Sequence, residues 1–191
     1  MLTIAILVFE GVEELDFVGP WEVFAAWASQ HPDDAVSVYT VGWTDNPIRC
    51  AKRMQVLADR DRAAIGAYDV LVVPGGAGTR PLVDDAALLE ELRKGAARGA
   101  TIASVCTGSL VLAAAGLLDG LPATSHWSAL DRLAAAGTDI EVRPDDRFVD
   151  NGAVLTAAGV SAGIDLALHL VARFASVDRA RDVRRYIQYD P

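Results

Sequence analysis

Three short apolar runs, each halted by a turn and followed by a helical pattern, dictate the architecture this chain can adopt. Residues 2–9 (Leu-Thr-Ile-Ala-Ile-Leu-Val-Phe) run almost without a polar side chain up to Glu10-Gly11. Tyr68-Asp69-Val70-Leu71-Val72-Val73 stops at Pro74-Gly75-Gly76-Ala77-Gly78, and Thr101-Ile102-Ala103-Ser104-Val105 stops at Cys106. A continuous apolar run marks a strand buried on both faces, and hence a parallel sheet covered by helices.

The intervening segments supply those helices. After a loop from Val12 to Gly19, a helix is expected through Trp27, with Pro20 near its first turn, where a missing N–H costs nothing. A helix over about 84–98 places Leu88, Leu92 and Ala96 on one face and closes at Gly99. Thr107–Ala115 is helical up to Gly116, and another helix starts near Trp127, with Leu130 and Leu133 inward and Gly137 as its stop. The segment Ser161–Ala175 is apolar nearly all round and is expected between layers. A final helix covers about 178–187. Residues 35–42 alternate like a strand, 47–60 hold one or two short strands, and another lies near Ala123-Thr124. Asp146–Leu155 reads as a hairpin turning at Asn151-Gly152. The chain is therefore α/β: one domain over residues 1–191, with a mostly parallel central sheet and helices on both faces, a flavodoxin-like three-layer sandwich.

Charge and cysteine content narrow the partners. The formal net charge is −9, which argues against a nucleic-acid surface, since phosphate contacts need clustered Lys and Arg. The cluster Arg179, Arg181, Arg184, Arg185 is interleaved with Asp178 and Asp182 and reads as a solvated helix face. No apolar run approaches the roughly 20 residues of a membrane span. The apolar N-terminus lacks the basic start and cleavage site of a signal peptide. Cys50 and Cys106 are the only cysteines, and neither sits in a disulfide or zinc pattern, so a cytoplasmic setting is expected. Cys50 reads as structural.

In a parallel sheet the reactive groups gather at the carboxyl ends of the strands. After Val105 comes Cys106-Thr107-Gly108-Ser109-Leu110, with small Ser104 two before the cysteine and Gly108 two after it. Small flanking residues are the steric requirement of a nucleophile elbow. The N-terminus of the following helix is expected to favour thiolate at Cys106. After Val73, glycines let backbone N–H groups face a developing anion. The N–H groups of Gly76 and Thr107 are the expected two halves of such a hole. After Phe9, Glu10, Glu13 and Glu14 read as solvated carboxylates. Asp16, bracketed by Leu15 and Phe17, is either a partly buried proton shuttle beside Cys106 or an N-cap. His31 reads as exposed, His169 as the i+4 partner of Asp165, and His126 as a candidate for substrate contact.

Taken together, Leu15-Asp16-Phe17-Val18-Gly19-Pro20, Val73-Pro74-Gly75-Gly76-Ala77-Gly78, Ser104-Val105-Cys106-Thr107-Gly108-Ser109-Leu110, Ala123-Thr124-Ser125-His126-Trp127 and Gly159-Val160-Ser161-Ala162-Gly163-Ile164-Asp165 resemble the ThiJ/PfpI superfamily across essentially the whole chain. The likeness is greatest to its isonitrile hydratase branch. The resemblance implies a cofactor-free homodimer acting on a small molecule, with Cys106 as nucleophile, Asp16 as its acid/base partner, and Gly75, Gly76, Thr107, His126 and Val160 around the substrate. No metal is implied. Thr107 stands where the protease-like branch has histidine, which argues against peptidase activity. Related transcription regulators add a C-terminal helix-turn-helix, and a sequence ending at Pro191 is expected to act alone. Ala157-Ala158 and Ser125 depart from the branch's usual glycine and threonine. Three functions follow: hydration of an isonitrile to a formamide in a small, largely apolar pocket, a glyoxalase-like reaction of a small dicarbonyl at the same cysteine, or ligand or redox sensing through Cys106.

Overall fold

The computed structural model describes residues 1–190. In chain order the elements are β1 (Leu2–Val8), α1 (Glu14–Gln30), β2 (Val36–Gly42), β3 (Ile48–Arg49), β4 (Gln55–Val56), β5 (Arg60–Asp61), β6 (Val70–Val73), α2 (Thr79–Leu82), α3 (Ala86–Ala97), β7 (Thr101–Val105), α4 (Gly108–Ala114), β8 (Pro122–Ala123), α5 (Leu130–Ala134), β9 (Glu141–Val142), β10 (Phe148–Asp150), β11 (Val154–Ala157), α6 (Ala162–Phe174) and α7 (Val177–Tyr186).

Seven strands form one sheet in the order β10-β11-β7-β6-β1-β2-β5. All its pairings are parallel except the hairpin β10–β11, which turns at Asn151-Gly152. The apolar runs account for the centre: Ile4 to Val8, all of β6 and all of β7 are buried. Helices α1, α6 and α7 pack together, and α2, α3 and α5 each pack against α4, so each face of the sheet has its own helical layer. From β1 the chain moves to β2 on one side, then returns to β6 on the other. That reversal opens a crevice at the carboxyl ends of β1 and β6, with β7 next in line.

Four local expectations are corrected. Helix α1 begins at Glu14, so Pro20 lies inside it rather than in the first turn. Proline lacks an N–H, so the helical bond to the carbonyl of Asp16 is absent. The buried row Phe17, Val23, Phe24 and Trp27 holds the helix together across that gap. Helix α6 has a buried side (Leu166, Ala167, Leu170, Val171) and an outer one, so it covers the sheet instead of lying between layers. His169 bonds Asp150 at 2.7 Å, not Asp165, whose carboxylate takes Arg147 instead. His31 is half-buried and meets the Arg179 guanidinium at 2.5 Å, while Arg179 also binds Asp34 at 2.6 Å, tying α7 to the end of α1.

Candidate active site

Cys106 follows β7 directly and adopts φ +57, a left-handed conformation that costs an L-residue about 1–2 kcal/mol. The surroundings hold it there. Its N–H donates to Ala158 O at 2.8 Å, and its carbonyl accepts from Ser125 Oγ at 2.9 Å and Ser109 Oγ at 3.0 Å. A Cβ on Gly108 would lie 2.1 Å from the Val73 carbonyl, so the chain can turn this tightly against β6 only with glycine there. The sulfur is pushed above the sheet and the residue is 7% exposed.

Asp16 is the third residue of α1, not its N-cap, which is Glu13. It is fully buried. Its Oδ2 accepts the Gly75 N–H at 2.9 Å, Oδ1 makes no hydrogen bond, and the Cys106 side chain lies beside the carboxyl. Burial raises the Asp16 carboxyl to about 7, against the lowering effect of the Gly75 N–H. Burial, then the Asp16 carboxylate, pushes the Cys106 thiol up to about 12, with the Thr107 N–H opposing. Two negative charges cannot share so dry a place, so the pair keeps a proton at neutral pH. The expected resting thiolate is therefore corrected: burial outweighs the seven-residue helix α4 behind it.

Thr107 joins the second loop to the elbow. Its Oγ1 accepts the Gly76 N–H at 2.9 Å, so that N–H is engaged by protein instead of standing free as half of an anion hole. The Thr107 N–H faces the sulfur. Gly75 is buried beneath both.

Above this floor opens a cavity of about 270 Å³ whose wall includes Cys106, Thr107, Gly76, His126 and Val160. Asp16 and Gly75 lie below it. His126 is set by Ser128, whose Oγ is 2.8 Å from Nδ1, and its ring lies where a side chain on Gly159 would be. Val160 adopts φ +46, strain for a β-branched residue placed at the cavity edge. Sequence reasoning missed Glu13, Thr79, Arg80, Ser128 and Arg132, which with Ala77 complete the wall. With these the cavity is more polar than the expected largely apolar pocket. Glu10 is exposed, as expected, and Glu13 and Glu14 are half-buried; all three pin the segment of β3 and β4, Glu10 accepting the Arg49 N–H at 3.0 Å, Glu14 the Lys52 N–H at 2.6 Å, and Glu13 pairing with the Lys52 ammonium. Among the described residues no cluster of three or more His, Cys, Asp or Glu could hold a metal ion, and no helix is long and apolar enough to cross a membrane.

Residues 2–173 match the model of the DJ-1/PfpI family. The chain is 41% identical to an isonitrile hydratase of Pseudomonas putida over all 191 of its residues and 79% of that protein. A crystal structure of a ThiJ/PfpI family protein from Pseudomonas syringae superposes with a TM-score of 0.88 at 34% identity, covering all of this chain and 76% of that one. Drosophila melanogaster DJ-1beta superposes with a TM-score of 0.88 at 22% identity, covering all of this chain and 99% of that one, a likeness of fold alone.

Proposed function

The chain belongs to the DJ-1/PfpI family, and from that premise we propose that it is a cysteine-dependent hydratase converting an isonitrile to an N-substituted formamide without a cofactor. The observation that carries this reading is the buried Asp16 carboxyl lying beside Cys106, whose side chain lines an open cavity. Its support is the 41% identity to an isonitrile hydratase along the whole chain.

The chemistry follows from where the proton sits. The terminal carbon of R–N≡C is electrophilic, and the Cys106 sulfur attacks it as the thiol proton passes through Asp16 to that carbon. The product is the thioimidate R–N=CH–S–Cys106. Water then adds across C=N, with the Asp16 carboxylate taking a proton from the water. The resulting R–NH–CH(OH)–S–Cys106 collapses to R–NH–CHO and returns the proton to the pair. The Thr107 N–H faces the sulfur and favours its negative charge during both steps. A homodimer and a cytoplasmic setting belong to the same proposal.

The test is a paired assay of wild type and Cys106→Ala with an alkyl isonitrile and with methylglyoxal. Formamide production by wild type alone supports the reading. Turnover of methylglyoxal in preference to isonitrile would replace it with the dicarbonyl reaction, and undiminished hydration by Cys106→Ala would remove the mechanism.

A further inference from the structure

The wall of the cavity carries a charge pattern that a neutral substrate would not use. Arg80 on α2 and Arg132 on α5 line it from two separate elements, together with Cys106. Neither guanidinium has an acidic partner among the described residues. The cavity's own acid, Glu13, is already paired with Lys52. The Asp16 carboxyl is fully buried beside Cys106, and burial raises its pKa to about 7. In a chain of net charge −9, the mouth of this site is therefore locally positive. Guanidinium groups are weakly hydrated, planar donors suited to a carboxylate.

We propose that the substrate carries a carboxylate, which Arg80 and Arg132 hold while its isonitrile carbon is presented to the Cys106 sulfur. This rests on the hydratase reading for the reacting group, but not for the charge. His126 and Ser128, on the same stretch as Arg132, supply further polar contacts beside the carboxylate. Both arginines are exposed, so the attraction acts through solvent and is weakened by salt.

Two reagents of nearly equal size isolate the charge from the hydration chemistry. Iodoacetate and iodoacetamide each alkylate a cysteine: the S–C bond forms, iodide leaves, and the thiol proton passes to Asp16 or solvent. The rate of each at Cys106 is measured by peptide mapping in wild type, Arg80→Gln/Arg132→Gln and Arg80→Lys/Arg132→Lys at low ionic strength. The ratio of iodoacetate to iodoacetamide rates should fall about tenfold in the glutamine variant, fall similarly for wild type in 1 M salt, and be largely kept by the lysine variant. Modification of buried Cys50 would identify a variant that has unfolded. The specificity ratio kcat/KM for isocyanoacetate over isocyanoacetamide should drop in the same variant by a similar factor.

An alkylation ratio equal in wild type and the glutamine variant overturns the inference, even if both isonitriles are hydrated. A reduced ratio with neither isonitrile hydrated instead overturns the hydratase reading, and with it the isonitrile half of this assignment, leaving the cavity's selectivity for anions in place.

Discussion

The main-chain N–H of Gly75 donates to Asp16 Oδ2 at 2.9 Å, so a loop glycine fixes the carboxyl that lies beside Cys106. The same residue explains why no side chain is admitted there. A Cβ on Gly75 would lie 2.6 Å from the Thr107 nitrogen and 2.8 Å from Asp16 Oδ2. Gly75→Ala must therefore move backbone or carboxyl. Overpacking of this kind costs about 1–3 kcal/mol, and displacing a catalytic group by about 1 Å costs on the order of 100-fold in rate. Denaturant midpoints and steady-state hydration should show both losses. A Gly75→Ala protein with wild-type turnover would mean that Asp16 does not act from this position.

Asp16 also gives stability a pH dependence whose sign is opposite to that of most carboxylates. Its folded value is about 7, against 3.8 unperturbed. Between those values the folded state keeps a proton that the unfolded chain releases. Folding is thus penalised progressively as pH rises from about 4 to about 7, and by a constant amount above. Asp16→Asn has no proton to lose and can still accept from Gly75 through its amide oxygen. It should be more stable than wild type at pH 8, by no more than about 4 kcal/mol, with the difference shrinking towards pH 4. Hydration should meanwhile fall by about 10²–10⁴-fold. Urea melts at pH 5 and pH 8 check the first claim, and equal differences at both pH values would contradict it.

The strands and the elbow were legible because each is written locally. The runs Leu2–Val8, Val70–Val73 and Thr101–Val105 are too apolar to lie anywhere but mid-sheet. Asn151-Gly152 names its own hairpin, and Ser104 and Gly108 announce the tight turn around Cys106. The family resemblance was legible for the same reason, its motifs being the strand ends themselves. What could not be read was set by distant contacts. The start of α1 at Glu14 ignores Pro20 because packing of Phe17 and Trp27 overrides one missing hydrogen bond. The charge state of Cys106 depends on burial beside Asp16, 90 positions away in sequence. Arg80 and Arg132 carry no local sign that they face one cavity. The Gly76 N–H is engaged by Thr107 Oγ1 through a contact between two loops that no spacing encodes.

That last contact has a measurable weight. Thr107→Val keeps the shape of the side chain but leaves the Gly76 N–H without its 2.9 Å acceptor. An orphaned, half-buried donor costs about 1–3 kcal/mol. Thr107→Ser keeps the oxygen and should lose much less. If valine and serine prove equally stable in thermal melts, the Gly76 N–H has found water, and the loop after β6 is not held through Thr107.

The backbone at Cys106 predicts an inversion of the usual order of glycine and alanine. In an ordinary helix or strand glycine is less stable than alanine by about 0.5–1 kcal/mol. At φ +57 alanine keeps the left-handed penalty of about 1–2 kcal/mol while glycine escapes it. Both substitutions remove the sulfur, so the difference between them sets the left-handed strain of alanine against the extra backbone entropy that glycine loses on folding. Cys106→Gly should therefore match or exceed Cys106→Ala in stability, and both should be inactive in isonitrile hydration. An alanine variant clearly more stable than the glycine variant would mean that the elbow relaxes to negative φ once the cysteine is gone. In that case the strain belongs to the side chain's position rather than to the loops around it.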